Sequence, residues 1–218
     1  MGLLILLLLL GLFFPVLWLP ILVFAALFIL FIPIKFTVDS LFNLFTVPTQ
    51  IYKIATNPVL RKNHALEHAT VNILEKKERY NRLAGYATEE GFYIMGVNDT
   101  VLVEKAAHRG LELMKQGQSE LAIHKNCGTS LIVANFISAI IFLILLFYLG
   151  YFSIVSMLAA IILAHLIGPY LGQLVQEKFT TTPEVKEMEI ISAGRETTNN
   201  WRHPSKVFVK TSRVPYIT

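Results

Sequence analysis

Two long stretches without charge limit what this chain can fold into. Residues 1–34 and 126–176 contain no Lys, Arg, Asp or Glu, so all 19 basic and 15 acidic residues lie in 35–125 and 177–218. A helix needs about 20 consecutive apolar residues to cross a bilayer, and both stretches exceed that. The alternation describes a membrane α-helical protein with water-exposed parts, its first partner being the lipid bilayer. Only 16% of residues are charged, against roughly 25% in globular chains. The net charge of +4 suits anionic lipid headgroups. A dense basic stripe and a stacking platform are both missing, which argues against nucleic acid.

The blocks predict five regions. Residues 1–35 form an N-terminal membrane segment. As one helix, residues 3–34 would span about 48 Å, too long for a core of roughly 30 Å, while two full crossings need about 40 residues. Pro15 and Pro20 predict a break at Phe14–Pro20, giving a broken apolar helix or a helical hairpin. Whether it crosses once, twice or re-enters stays open. It has no basic n-region and is longer than the h-region of a cleaved signal peptide. Residues 36–60 read as interfacial helices divided at Pro48, because Leu41, Phe42, Leu44 and Phe45 need cover.

Residues 61–128 read as a small cytoplasmic α+β module. Asn63 is expected to cap a helix from about His64 to Glu78. The glycines and aromatics of Leu83–Gly96 suggest a hairpin. Asn98-Asp99-Thr100 caps a second helix to about Gln116, ended by Gly117, and Leu121–His124 reads as a third strand. Residues 129–176 form a transmembrane helix pair: Thr129–Leu149, a turn at Gly150-Tyr151, and a returning span over 152–175. Residues 177–218 form a tail with two strands, Glu187–Ser192 and Lys206–Ser212, joined by Ala193–Ser205. Lys and Arg number eleven in 49–125 and seven in 177–218, with none between the paired spans. The positive-inside rule then predicts a multi-pass cell-membrane protein with module and C-terminus cytoplasmic.

The chemistry concentrates in His64-Ala-Leu-Glu-His68. On a helix His64, Glu67 and His68 share one face. Two imidazoles at that spacing can bind one ion, zinc or another divalent metal, and the carboxylate can accept a proton from water that the ion activates. The order H-x-x-E-H inverts the zinc-protease signature; the plain alternative is an amphipathic helix that carries two histidines. A second group, His124-Lys-Asn-Cys-Gly-Thr129, lies where a loop enters a span. His124 or Cys127 is the expected third ligand. Three ligands leave a position open for water, and four close a structural site. As the single cysteine, Cys127 forms no intramolecular disulfide. A helix N-terminus favours its thiolate, which keeps a metal-free thiol role open beside that of a small buried residue.

Weaker candidates remain. Glu89 and Glu90 at a turn can complete a site, as inverted-motif enzymes take a distal Glu, but read more simply as a solvated turn. His165 lies within a span, where a neutral imidazole bonded to a carbonyl is the simpler reading. His108 and His203 read as solvated. Gly168-Pro-Tyr-Leu-Gly172 suits a kink or close packing.

Three stretches together carry a resemblance: His64–Thr70, Ala87-Thr-Glu-Glu-Gly-Phe-Tyr93 and His124–Thr129, followed by two spans and Thr180-Thr-Thr182. From about Val59 onward the chain resembles domain-of-unknown-function family 6391, small bacterial membrane proteins without an assigned activity. A second uncharacterised membrane family is similar in pairing His-x-x-Glu-His with His-x-x-Cys-Gly-Thr before paired spans. Lys125 stands where the family is expected to have proline. The resemblance implies that the two stretches belong to one site, and it supplies no substrate.

Three functions fit these residues: a metal-dependent hydrolase or peptidase at the membrane surface, a non-catalytic scaffold or assembly factor with a structural metal site, or a reactive thiol. The partner would be a peptide or a membrane protein. A reporter fused at Thr218 is expected to read out on the cytoplasmic side, and an external signal would overturn that orientation.

Overall fold

The structure, a computed structural model, describes residues 5, 18–78, 80, 83–125, 127–150, 154–196 and 206–214. The first element, α1, is a single helix from Trp18 to Ala55 that runs through Pro33 and Pro48. The helix is continuous through Lys35 and Pro48, so residues 36–55 are not set off as separate helices divided at Pro48. The physical reason is local. An internal proline forfeits one backbone hydrogen bond, whereas a break in apolar surroundings strands up to eight groups. Thr37, Thr46 and Thr49 add side-chain bonds to the carbonyls of Pro33, Phe42 and Phe45 at 2.7, 3.0 and 2.7 Å. Of the predicted break at Phe14–Pro20, residues 14–17 lie outside the described residues, and Pro20 is already helical.

Helix α2 spans Pro58–Glu78. Its cap is Asn57, whose Oδ1 accepts from the N–H groups of Val59 and Leu60 at 3.1 Å each, with Pro58 at the first helical position. Asn63, expected as the cap, is instead inside the helix and fully buried. Its amide donates to the carbonyls of Thr88 and Glu89 at 2.8 and 3.2 Å and accepts from Thr211 Oγ1 at 2.8 Å. Asn63 therefore serves tertiary contacts rather than the helix start.

The predicted hairpin is present as β1 (Ala84–Ala87) and β2 (Gly91–Met95). Asp99 caps α3 (Thr100–Lys115) through Leu102 N–H at 3.0 Å, and Gly117 follows at φ +98°. Leu121–His124 is not a strand: Ser119–Ala122 forms a 3₁₀ turn. Helices α4 (Gly128–Leu149) and α5 (Ile154–Val175) make the expected pair, and α5 runs on into a π turn, Gln176–Thr180. The tail strands are β3 (Met188–Glu196), longer than predicted, and β4 (Lys206–Arg213). Residues 197–205, with His203, lie outside the described residues.

The tail does not stand apart. The sheet order is β1-β2-β4-β3, antiparallel throughout, so β4 lies between the first hairpin and β3. Val207 and Val209 of β4 face inward, where they join Phe92 and Ile94 of β2, Leu66 and Leu74 of α2, and Val103 of α3. A module of the 68 residues 61–128 has little core of its own. The two tail strands supply the missing surface.

Among the described residues, three helices are long and apolar enough to cross a membrane: Trp18–Ala55, Gly128–Tyr148 and Ile154–Thr180. Their outward side chains are bare, with Phe24 at 72%, Phe147 at 78% and Tyr170 at 76% exposure. Such a surface suits lipid contact. Between α4 and α5 the packing relies on small residues. A Cβ on Gly168 would come within 2.6 Å of Ala134 Cβ, and one on Gly172 within 2.7 Å of Ser130 Cα. Phe36 of α1 meets Phe142 of α4 edge-on at 4.9 Å.

Gly172→Leu is expected to pry α4 from α5 and destabilise the protein by about 1–3 kcal/mol. The measurement is thermal unfolding in detergent, with Gly194→Ala, whose Cβ meets nothing within 4 Å, as the unchanged control.

Candidate metal centre

Helix α2 presents His64, Glu67 and His68 on one buried face, as their spacing requires. Two turns from distant parts of the chain orient the rings. His64 Nδ1 donates to the Thr180 carbonyl at 3.0 Å, and His68 Nδ1 to the Ala122 carbonyl at 2.7 Å. A carbonyl only accepts, so both Nδ1 atoms carry the proton and both Nε2 atoms present lone pairs. The His68 Nε2 is buried without a hydrogen-bond partner, and the His68 side chain as a whole is only 1% exposed. An unmet acceptor at such depth is costly unless something else binds it.

Cys127 completes the group. It is the N-cap of α4, its sulfur accepting from Thr129 N–H at 3.3 Å. The same sulfur lies 3.4 Å from His64 Nε2. One ligand atom each from His64, His68 and Cys127 falls within 4.8 Å of the others. Two outward-fixed imidazoles and a thiol, each imidazole backed by a carbonyl, can hold a divalent metal ion.

Glu67 faces both rings. Its Oε2 lies 3.8 Å from His64 Nε2 and 3.7 Å from His68 Nε2. Burial pushes its pKa up to about 8. Burial likewise lowers both histidines, His68 further through the neighbouring His64. The Cys127 thiol is pushed up to about 11, first by burial and then by Glu67. Without metal, every group here favours its neutral form. A bound cation reverses that preference for the carboxyl and the thiol.

Of the two expected third ligands, Cys127 is the one whose ligand atom joins the group. His124 stands beside it, its ring 6.1 Å from that of His68 and its Nε2 3.1 Å from Glu75 Oε2. Its backbone is clamped by Gln176, which accepts from the His124 N–H at 3.0 Å and donates to the His124 carbonyl at 3.1 Å. Gln176 also donates to Ser130 Oγ at 2.7 Å. Glu89 and Glu90 are exposed, and Glu89 accepts from Asn57 at 2.7 Å. His108 and His165 are exposed.

Sequence reasoning missed several supporting residues. Gly85 makes room for Glu67: a Cβ there would lie 2.9 Å from Glu67 Cδ and 2.6 Å from the Tyr93 carbonyl. A glycine inside a strand signals such close approach. Gln176, the last residue of a charge-free stretch, is fully buried, and that placement was its signal. The carbonyls of Thr180 and Ala122 carry no side-chain signal at all.

The sequence matches the family described as Domain of unknown function (DUF6391) over residues 59–193. The chain belongs to this family. The matched stretch holds His64, Glu67, His68, His124, Cys127 and Thr180. The chain is also 33% identical over 89 residues to an uncharacterized protein of Picosynechococcus sp. (strain ATCC 27264 / PCC 7002 / PR-6), a match covering 37% of this chain and 43% of that relative. The alignment therefore spans less than half of either protein. No solved structure matches the chain.

The Glu67 shift sets a pH dependence for metal-free protein. Its folded pKa of about 8 exceeds the ordinary 4.5, so between these values the folded state holds the extra proton. Stability is therefore lost as pH rises through that window, at up to about 1.4 kcal/mol per unit. Glu67→Gln is expected to flatten this fall, read as denaturation midpoints of chelator-treated protein at pH 5, 6.5 and 8. The lowered histidines act oppositely, losing stability as pH falls through 6.5. They are common to both proteins and cancel in the comparison.

Proposed function

We propose that this is a multi-pass membrane protein with a zinc-type divalent metal centre on His64, His68 and Cys127, acting as a metal-dependent hydrolase on peptide bonds at the membrane surface. One observation carries the reading: a buried carboxyl lies almost equidistant from two imidazole nitrogens whose lone pairs face it, beside the Cys127 sulfur. When bound, a divalent ion lowers the pKa of water and polarises a carbonyl. Glu67, which a bound cation would return to its ionised form, takes the proton from water as general base. The water oxygen bonds to the carbonyl carbon, the C–N bond breaks, and Glu67 delivers the proton to the leaving nitrogen. His124, held by Glu75 and Gln176, props the wall behind His68; its role as a ligand is second to that of Cys127. The distribution of Lys and Arg supports a cytoplasmic location for the site.

A second reading, a non-catalytic scaffold, draws on where the group sits. Its residues and their carbonyl partners come from α2, the 3₁₀ turn, the π turn and the start of α4. A metal there would staple the soluble sheet to the membrane pair without chemistry.

Metal analysis of purified protein separates the readings. One equivalent of divalent metal is expected in the wild type and at least tenfold weaker retention in His64→Ala and His68→Ala. Glu67→Gln should keep the metal while hydrolysis falls about 10²–10⁴-fold. A scaffold would tolerate Glu67→Gln. Equal metal in wild type and His64→Ala would end both.

A further inference from the structure

A cleft of about 680 Å³ opens between α1, α4 and α5 and reaches the metal group at Cys127. Its polar lining is unusual for apolar helices: Ser40 and Asn43 from α1, Ser130, Asn135 and Ser138 from α4, and His165 from α5. Ser138 is only 6% exposed, and its hydroxyl has no hydrogen-bond partner. Ser40 is buried as well, at 2%. Polar groups inside membrane-facing helices are retained for a partner or a function. Phe36, Leu131 and Ile161 supply apolar wall between them.

We propose that this cleft binds an extended peptide segment and delivers it to the metal group. The inference rests on the peptidase reading of that group. Three features favour a peptide. Asn and Ser both donate and accept, as backbone amides do. The volume suits a drug-sized ligand, roughly four or five residues of extended chain. The apolar wall between the polar groups can take side chains. A lipid phosphate would call for clustered cations. The charged residues lining the cleft are Lys125 and Asp39, and Asp39 is paired with Lys35.

The test uses full-length protein in phosphatidylcholine nanodiscs and a fluorescein-labelled decapeptide of alternating Leu and Ser. Saturable binding is read by anisotropy in Glu67→Gln, and cleavage by mass spectrometry in the wild type. Ser138→Leu fills the cleft from a buried position. Asn135→Leu does so from an exposed position, where folding tolerates the change. Each is expected to weaken peptide binding at least tenfold with metal content unchanged. Absence of saturable binding, or binding unmoved by Asn135→Leu at unchanged metal content, overturns the cleft. Binding abolished by phosphatidylglycerol nanodiscs assigns the cleft to a lipid headgroup and overturns it too. Cleavage that ignores both substitutions removes the cleft but leaves the peptidase. Binding without cleavage in the wild type removes the peptidase but leaves the cleft.

Discussion

The site depends on two hydrogen bonds in which an imidazole donates to a main-chain carbonyl. His64 on Thr180 and His68 on Ala122 fix the tautomer of each ring. Without them either nitrogen could carry the proton, and the pair would not present two lone pairs to one point. The Thr180 carbonyl is available because α5 ends in a π turn. There Thr181 N–H and Thr181 Oγ1 both reach back to the Gln176 carbonyl at 2.9 Å. A π turn spends its hydrogen bonds one residue further apart than an α turn, and such turns recur at functional sites.

The same region joins the two halves of the molecule. Gln176 bonds to His124 and Ser130, Arg61 donates to the Thr181 carbonyl at 2.8 Å, and Lys62 pairs with Glu187. Helix α2 thus lies between the apolar helix pair and the sheet and touches both. The charge-poor centre follows from this packing: a carboxyl, two imidazoles and a thiol are removed from water together, and each shifts toward its neutral form. Such a cluster is tolerable only where a cation or a hydrogen-bonded partner can meet it.

Much of the site was readable in advance. The i, i+3, i+4 spacing alone places His64, Glu67 and His68 on one face, because helical geometry is local. Cys127 at the mouth of a span was readable as a helix N-terminus for the same reason. The choice between His124 and Cys127 was not, since it turns on Glu75 and Gln176, which come from separate helices. Asn63 shows the opposite failure. Its side chain fits a cap by type, yet Asn57 stands one residue before Pro58, and the better-placed cap won. Pro48 is a similar case, because a proline's effect depends on what the alternative exposes.

By itself the sequence determined the long apolar helices, the pairing of the last two, the first hairpin and the motif face. These follow from hydropathy and from periods of a few residues, which act within a single element. Only the tertiary structure decided that the tail strands complete the first hairpin's sheet, that Thr180 and Ala122 lend their carbonyls, and that Cys127 meets His64 from 63 positions away. Those pairings join surfaces and backbone groups that carry no local label. Their selection comes from the need to bury apolar faces and satisfy main-chain polar atoms across the whole fold at once.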